Sequence, residues 1–148
     1  MKAVVLKLKS WIHNLENNSE NPSFTSRVKT VLVYNQGRDS QAIISSVVVR
    51  ASDDTKHGRI HFVGPVSFDQ KVVDHVKEVI LPASDIIIKG LQLPLKCFKI
   101  SVVNLEVTSM RDVGSIISGF SADAPIFLAI LSAALQIEIP EDLVSTGH

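Results

Sequence analysis

The chain has 148 residues and an apolar fraction of 45%, enough to bury a core within one domain and too apolar for a disordered segment. Fifteen basic and fifteen acidic residues cancel, so the net basic face that nucleic acid or an anionic membrane demands is not expected. Cys97 is the only cysteine, which excludes an intrachain disulfide framework and makes a reducing, cytoplasmic setting the expectation.

The start, Met1-Lys2-Ala3-Val4-Val5-Leu6-Lys7-Leu8-Lys9, lacks the sustained apolar region and small-residue cleavage site of a signal peptide. Val4, Leu8, Trp11, Ile12 and Leu15 recur at helical spacing and predict an amphipathic helix over 3–16, with Trp11 as a packing anchor. Asn17, Asn18, Asn21 and Pro22 end it, so residues 1–26 read as a helix and polar linker ahead of a domain at 27–148.

From Arg27 the period changes to two. Val28, Thr30, Leu32 and Tyr34 alternate with Lys29, Val31, Val33 and Asn35 as a strand, and Asn35-Gln36-Gly37 supplies a turn. Residues 42–50 are β-branched and apolar, a second strand. Asp53-Asp54-Thr55 with Gly58 make another turn before a short strand over 59–63, closed by Gly64-Pro65. Three strands on short turns predict an antiparallel meander.

Helical spacing returns with Ser67 as the expected cap. Phe68, Val72, Val73, Val76, Val79 and Ile80 share one face, leaving His75 on the charged, exposed side. Pro82 is expected to interrupt this helix, with a second helical piece over 84–91. Phe98, Ile100 and Val102 mark a strand over 95–105, and Cys97 at its start is expected in the core. Gly114 and Gly119 predict a bent loop or hairpin over 106–119.

The longest apolar run, 124–135, is too short for a bilayer and is broken by Ser132, so it predicts a buried core helix rather than a membrane span. Pro125 is comfortable only in a first turn, so that helix begins by Ala124. Pro140 ends the connection after it, and Leu143-Val144 begins another strand.

Three places in this order of elements resemble the proteolytic domain of Lon proteases, a family of Ser-Lys peptidases. Gly58-Arg59-Ile60-His61-Phe62-Val63-Gly64 is similar to that family's third strand and glycine turn before its long helix. Ser121-Ala122 stands where the family has Pro-Ser-Ala-Gly, and Thr146-Gly147 lies in the register of its Thr-Gly-Glu. The resemblance covers about 27–148. It implies an α+β domain: a mixed, mainly antiparallel sheet with helices packed on it.

For activity, the resemblance implies that Ser121 attacks a peptide carbonyl and that Thr146 helps to orient the base. A serine hydroxyl is a weak nucleophile until a base takes its proton, and in this family the base is a lysine. N–H groups at a helix start can also stabilise an oxyanion. The family's lysine comes several dozen residues after the serine, and no lysine follows Ser121 in this sequence. The 148 residues are therefore expected to show no peptidase activity by themselves.

The implied partners are a polypeptide substrate, further copies of the chain in a homo-oligomer, and an ATPase module elsewhere. No Gly-rich phosphate loop ending in Gly-Lys-Ser/Thr occurs here. Neither a cofactor nor a metal is called for. Phe120 replaces the proline before the serine, Asp123 the glycine after Ser-Ala, and His148 the glutamate after Thr-Gly. Ser118-Gly119-Phe120 holds no acidic residue where the family has one.

The second reading is a Lon-like fold without peptidase chemistry, serving assembly or substrate holding in a larger protein. Asp123 favours it, because a carboxylate beside an oxyanion opposes the developing charge. Taken apart from the resemblance, Ser121 reads as a helix N-cap. His57 and His61 lie too near Gly58 to share a helix and lack a third zinc ligand. Asp53-Asp54 with Lys56 reads as a solvated turn, and Glu106, Asp112 and Asp142 read as surface charges. Lys89, Lys96 and Lys99 fall in the preceding helix and strand, away from the family's base position.

Overall fold

The computed structural model describes residues 24–36, 39–53, 58–64, 66–104, 116–117 and 119–147. The expected helix over 3–16, His57, Glu106 and Asp112 lie outside the described residues.

Strands β1 (Thr25–Gln36) and β2 (Asp39–Ser52) form a long antiparallel pair, with Thr25 opposite Arg50 and Gln36 opposite Asp39. Strand β1 thus begins two residues ahead of the expected domain boundary. The third sequence strand, β3 (Ile60–Phe62), does not continue a meander. It pairs in parallel with β5 (Cys97–Asn104), and β5 takes the free edge of β2 in antiparallel register. The reason is ladder length: β5 offers β2 eight residues of alternating pattern, against three from β3.

On the other side, β6 (Ile116–Ile117) pairs antiparallel with Tyr34 and Asn35, and β4 (Ser67–Phe68) pairs in parallel with β6. The sheet order is β3-β5-β2-β1-β6-β4, mixed and mainly antiparallel. With helices packed on it, the chain has the expected α+β class.

Register fixes which side chains face the helices. The rows Ser26-Val49-Ile100 and Val28-Val47-Val102 run across three strands, and every residue in them is buried. The intervening positions Thr25, Arg27, Arg50, Lys99 and Val103 are exposed on the opposite face. Side chains alternate along a strand, so a sheet with one solvated face reads as this two-residue period.

The sheet curls strongly. Strands β3 and β4 stand at opposite ends of the strand order, yet only residues 63–66 separate them. A link that short reaches roughly 17 Å even when fully extended. The two edges therefore approach, and the rings of Phe62 and Phe68 meet across the gap with centroids 4.7 Å apart.

A helical run follows β4 in three parts: α1 (Gln70–His75), a π-helical turn (Val76–Ile80) and α2 (Leu81–Gly90). Asp69 caps it rather than Ser67, accepting a hydrogen bond from the Lys71 amide at 2.9 Å, while Ser67 belongs to β4. Val72, Val76, Ile80, Ser84 and Ile88 are all buried, in strict steps of four. Over that span an unbroken α-helix would carry such a stripe about 160° round its axis. The wider π turn takes back part of the drift and keeps the stripe in the core. It also accommodates Pro82, which sits in the first turn of α2 instead of interrupting the helix.

Helix α3 (Asp123–Leu135) packs across β1 and β2 and against α2. Ile126, Ala129, Ile130 and Ala133 are buried there, while Phe127, Leu128, Leu131 and Leu135 are half-buried. The run is a core helix with one partly covered face, where burial all round was expected. A left-handed Gln136 ends it, and the Ser132 hydroxyl donates to the Ile137 carbonyl. No helix among the described residues is long and apolar enough to cross a membrane. Cys97 is buried and free, as expected of a core cysteine.

One polar clamp ties the far end of this layer together. Arg59 makes a bidentate pair with Asp85 of α2 at 2.9 and 2.7 Å, and its Nε donates to the Lys96 carbonyl at 2.9 Å. The Asp85 hydrogen bond raises the guanidinium pKa against the desolvation that opposes it. Arg59→Ala is expected to cost about 1–2 kcal/mol, a value reduced from that of a buried charged pair by partial exposure. Arg59→Lys should recover little, because one ammonium cannot reproduce the fork. Urea unfolding of the two variants checks this, and a lysine variant as stable as wild type would contradict it.

Candidate functional site

The backbone leaves β6, passes Gly119 in extended conformation and enters a single 3₁₀ turn, Phe120–Ala122, that runs directly into α3. Ser121 is half-buried in the middle of that turn, and Ala122 and Asp123 are buried behind it. Ser121 is thus not the N-cap it could have been. The cap position of α3 is Ala122 and that of the 3₁₀ turn is Gly119, neither with a side-chain cap.

The C-terminal segment returns to this turn. Leu143 donates to the Pro140 carbonyl, and Val144 then forms a single parallel bridge with Lys29 of β1. This bridge, supported by Ser145 donating to the Lys29 carbonyl at 2.9 Å, is what becomes of the expected strand at Leu143-Val144. Two residues further, the Gly147 amide donates to the Ser121 carbonyl at 3.2 Å, and the Ala124 amide donates to the Gly147 carbonyl at 3.2 Å. Thr146-Gly147 and the serine turn, 25 positions apart in sequence, are thereby joined through the backbone. The Thr146 side chain itself is exposed.

That exchange bears on the oxyanion expectation. The Asp123 amide donates to the Phe120 carbonyl, the Ala124 amide to Gly147, and Pro125 has no N–H. The N–H groups of the first α3 turn nearest the serine are therefore engaged. Donors for an oxyanion must come from the serine's own turn.

The residue that sequence reasoning missed is His75, expected on the exposed side of its helix. Its side chain is only 23% exposed, and its Nε2 lies 3.1 Å from Oδ2 of Asp123, whose side chain is 3% exposed. The same imidazole packs on the ring of Phe120, with centroids 4.9 Å apart and planes tilted by 55°. One side chain from α1 therefore engages the residue just before Ser121 and the residue two beyond it. Sequence held a weak signal: His75 follows buried Val72 by three positions, which places it at the border of the apolar stripe.

The remaining candidates are dispersed. His61 lies half-buried in β3. Lys96 pairs with Asp53 at 2.8 Å, Lys89 and Lys99 are exposed, and Asp142 is exposed. Among the described residues no group of three or more His, Cys, Asp or Glu side chains could hold a metal ion. A groove of about 470 Å³ runs between the start of β1 and the segment after α3, lined in part by Phe24, Ser26, Arg27, Ile139 and Glu141. No residue of the serine turn lines it. No family model matches the chain, and no curated protein is significantly similar to it.

Proposed function

We propose that this chain is the serine-bearing part of a Lon-like peptidase domain, with Ser121 at the nucleophile position and Thr146 beside the base. The single observation that carries the reading is the reciprocal backbone pairing of Gly147 with Ser121 and Ala124. It gives the two distant motifs of the resemblance a common location. A strand, β6, directly ahead of the serine turn and a core position for α3 support the same architecture. Polypeptide is then the substrate, a lysine the base, and self-association the expected state.

The reading is tested by serine-directed phosphonate labelling and by hydrolysis of unfolded protein. The 148-residue chain should leave Ser121 unmodified, because a serine hydroxyl without an adjacent base stays protonated near neutral pH. A polypeptide that continues past His148 into a lysine at the family's position should label at Ser121 and cleave, and its Ser121→Ala variant should do neither. Rapid labelling of the 148-residue chain would reveal a different base.

A second reading, the non-catalytic assembly or substrate-holding module, is favoured by the engaged N–H groups at the start of α3 and by Asp123 in the glycine position. Inertness of the longer, lysine-bearing polypeptide would select it.

A further inference from the structure

We propose that His75 is the positioning residue of the serine turn, holding Ser121 in place from a different helix. The inference rests on the reading of Ser121 as the reactive position, but its physical content is local. A single 3₁₀ turn is intrinsically weak because its hydrogen-bond geometry is poor. This one has no side-chain cap at its start, and α3 has none after it. Backbone bonds to Gly147 tie it to the C-terminal segment, and a side chain from α1 adds a second hold.

Two contacts from His75 make up that second hold. The imidazole lies 3.1 Å from the Asp123 carboxylate through Nε2 and packs against Phe120 with its ring. The turn is gripped at the positions before and after Ser121, which leaves the serine little freedom to swing. The grip is strengthened by burial: a carboxylate as enclosed as that of Asp123 is costly unless a polar partner compensates it. Removing the imidazole takes a partner from the buried group while the other leaves water only in part, the asymmetry that makes half of a buried pair expensive.

The geometry also gives Asp123 a use. In the resemblance this position is glycine, and a carboxylate there looks like an obstacle to chemistry. Engaged with His75, it becomes the handle by which α1 holds the turn. The histidine on α1 and the aspartate at the start of α3 then act as a pair.

Amide hydrogen exchange on the full 148-residue chain tests this. The reporters are the Asp123, Ala124 and Gly147 amides, which are bonded in and around the turn. The references are the Val47, Val49 and Ile100 amides in the sheet. In His75→Ala the turn amides should exchange about tenfold faster with the references unchanged, the signature of local opening. His75→Gln, which keeps an N–H toward Asp123, should restore protection at Asp123 and Ala124. His75→Phe, which keeps only a ring for Phe120, should not.

Unchanged turn amides in His75→Ala, or a rise in step with the sheet references, would overturn the proposal. If His75→Ala fails to fold, the Gln and Phe variants decide by the same order, and equal protection in both would overturn it. The exchange readout needs no chemistry at Ser121. A failed positioning role and a failed peptidase reading, which phosphonate labelling of the longer polypeptide tests, are therefore told apart.

Discussion

Phe98→Ala is expected to destabilise the protein by about 3–5 kcal/mol, the largest effect of any single truncation considered. Phe98 is 1% exposed and is the largest fully buried side chain among the described residues. It sits at the second position of β5, opposite Ala51 of β2 and Ile60 of β3, where three strands converge under the helical layer. Truncation removes apolar burial and leaves a cavity that three hydrogen-bonded strands cannot collapse around. A loss of that size is a large share of the about 5–15 kcal/mol that a domain of this kind has in total.

The control is Val103→Ala on the same strand. Val103 is 41% exposed on the solvated face, so its truncation should change stability by less than about 0.5 kcal/mol. Urea unfolding of both variants, read at the transition midpoint with an unchanged slope, gives the comparison. Equal losses in the two variants would mean that the assignment of sheet faces is wrong.

Much of this architecture was legible because burial imposes a period. The alternation over Val28, Thr30 and Leu32 and over Phe98, Ile100 and Val102 placed two central strands on the correct face, since one side of the sheet is solvated. Pairing was less legible, because a three-residue strand such as β3 carries no label for its neighbour. Its parallel partner β5 lies more than thirty positions along the chain. The helix face was misjudged for a definite reason. An α-helical period puts Val79 inside, whereas the π turn over Val76–Ile80 leaves it 48% exposed; His75, ahead of that turn, stands at the border of the stripe, where α3 covers it.

The candidate site divides in the same way. Ser121 and Thr146-Gly147 were singled out by the resemblance to Lon proteases, since residue type alone makes Ser121 a helix cap, and the backbone does bring them together. His75 could not be, because its importance comes from Phe120 and Asp123, forty-five and forty-eight positions later. The loss of free N–H groups at the start of α3 was equally hidden. The acceptor for the Ala124 amide is a carbonyl from the far end of the chain.

Gly147→Ala is the sharpest test of whether the C-terminal segment holds the serine turn. Gly147 has φ of +135°, a conformation that side-chain-bearing residues rarely adopt, and a Cβ added there meets nothing within 4 Å. The penalty is therefore conformational strain alone, about 1–3 kcal/mol if the segment stays in place. Lifting away is the cheaper course, because among the described residues the backbone ties of residues 144–145 to β1 are the Val144 bridge and the Ser145 bond. The Ala124 amide should then lose its acceptor and exchange faster, with Val47 and Ile100 in the sheet unaffected. Gly58→Ala supplies the matched control: Gly58 has φ of +78° and equally open surroundings, but it leads into β3 and no backbone bond among the described residues joins it to the turn. Comparable strain at Gly58 should leave Ala124 protected. Should Gly147→Ala also leave it protected, the contact between Thr146-Gly147 and Ser121 would be too weak to define a site, and the peptidase reading would lose the observation that carries it.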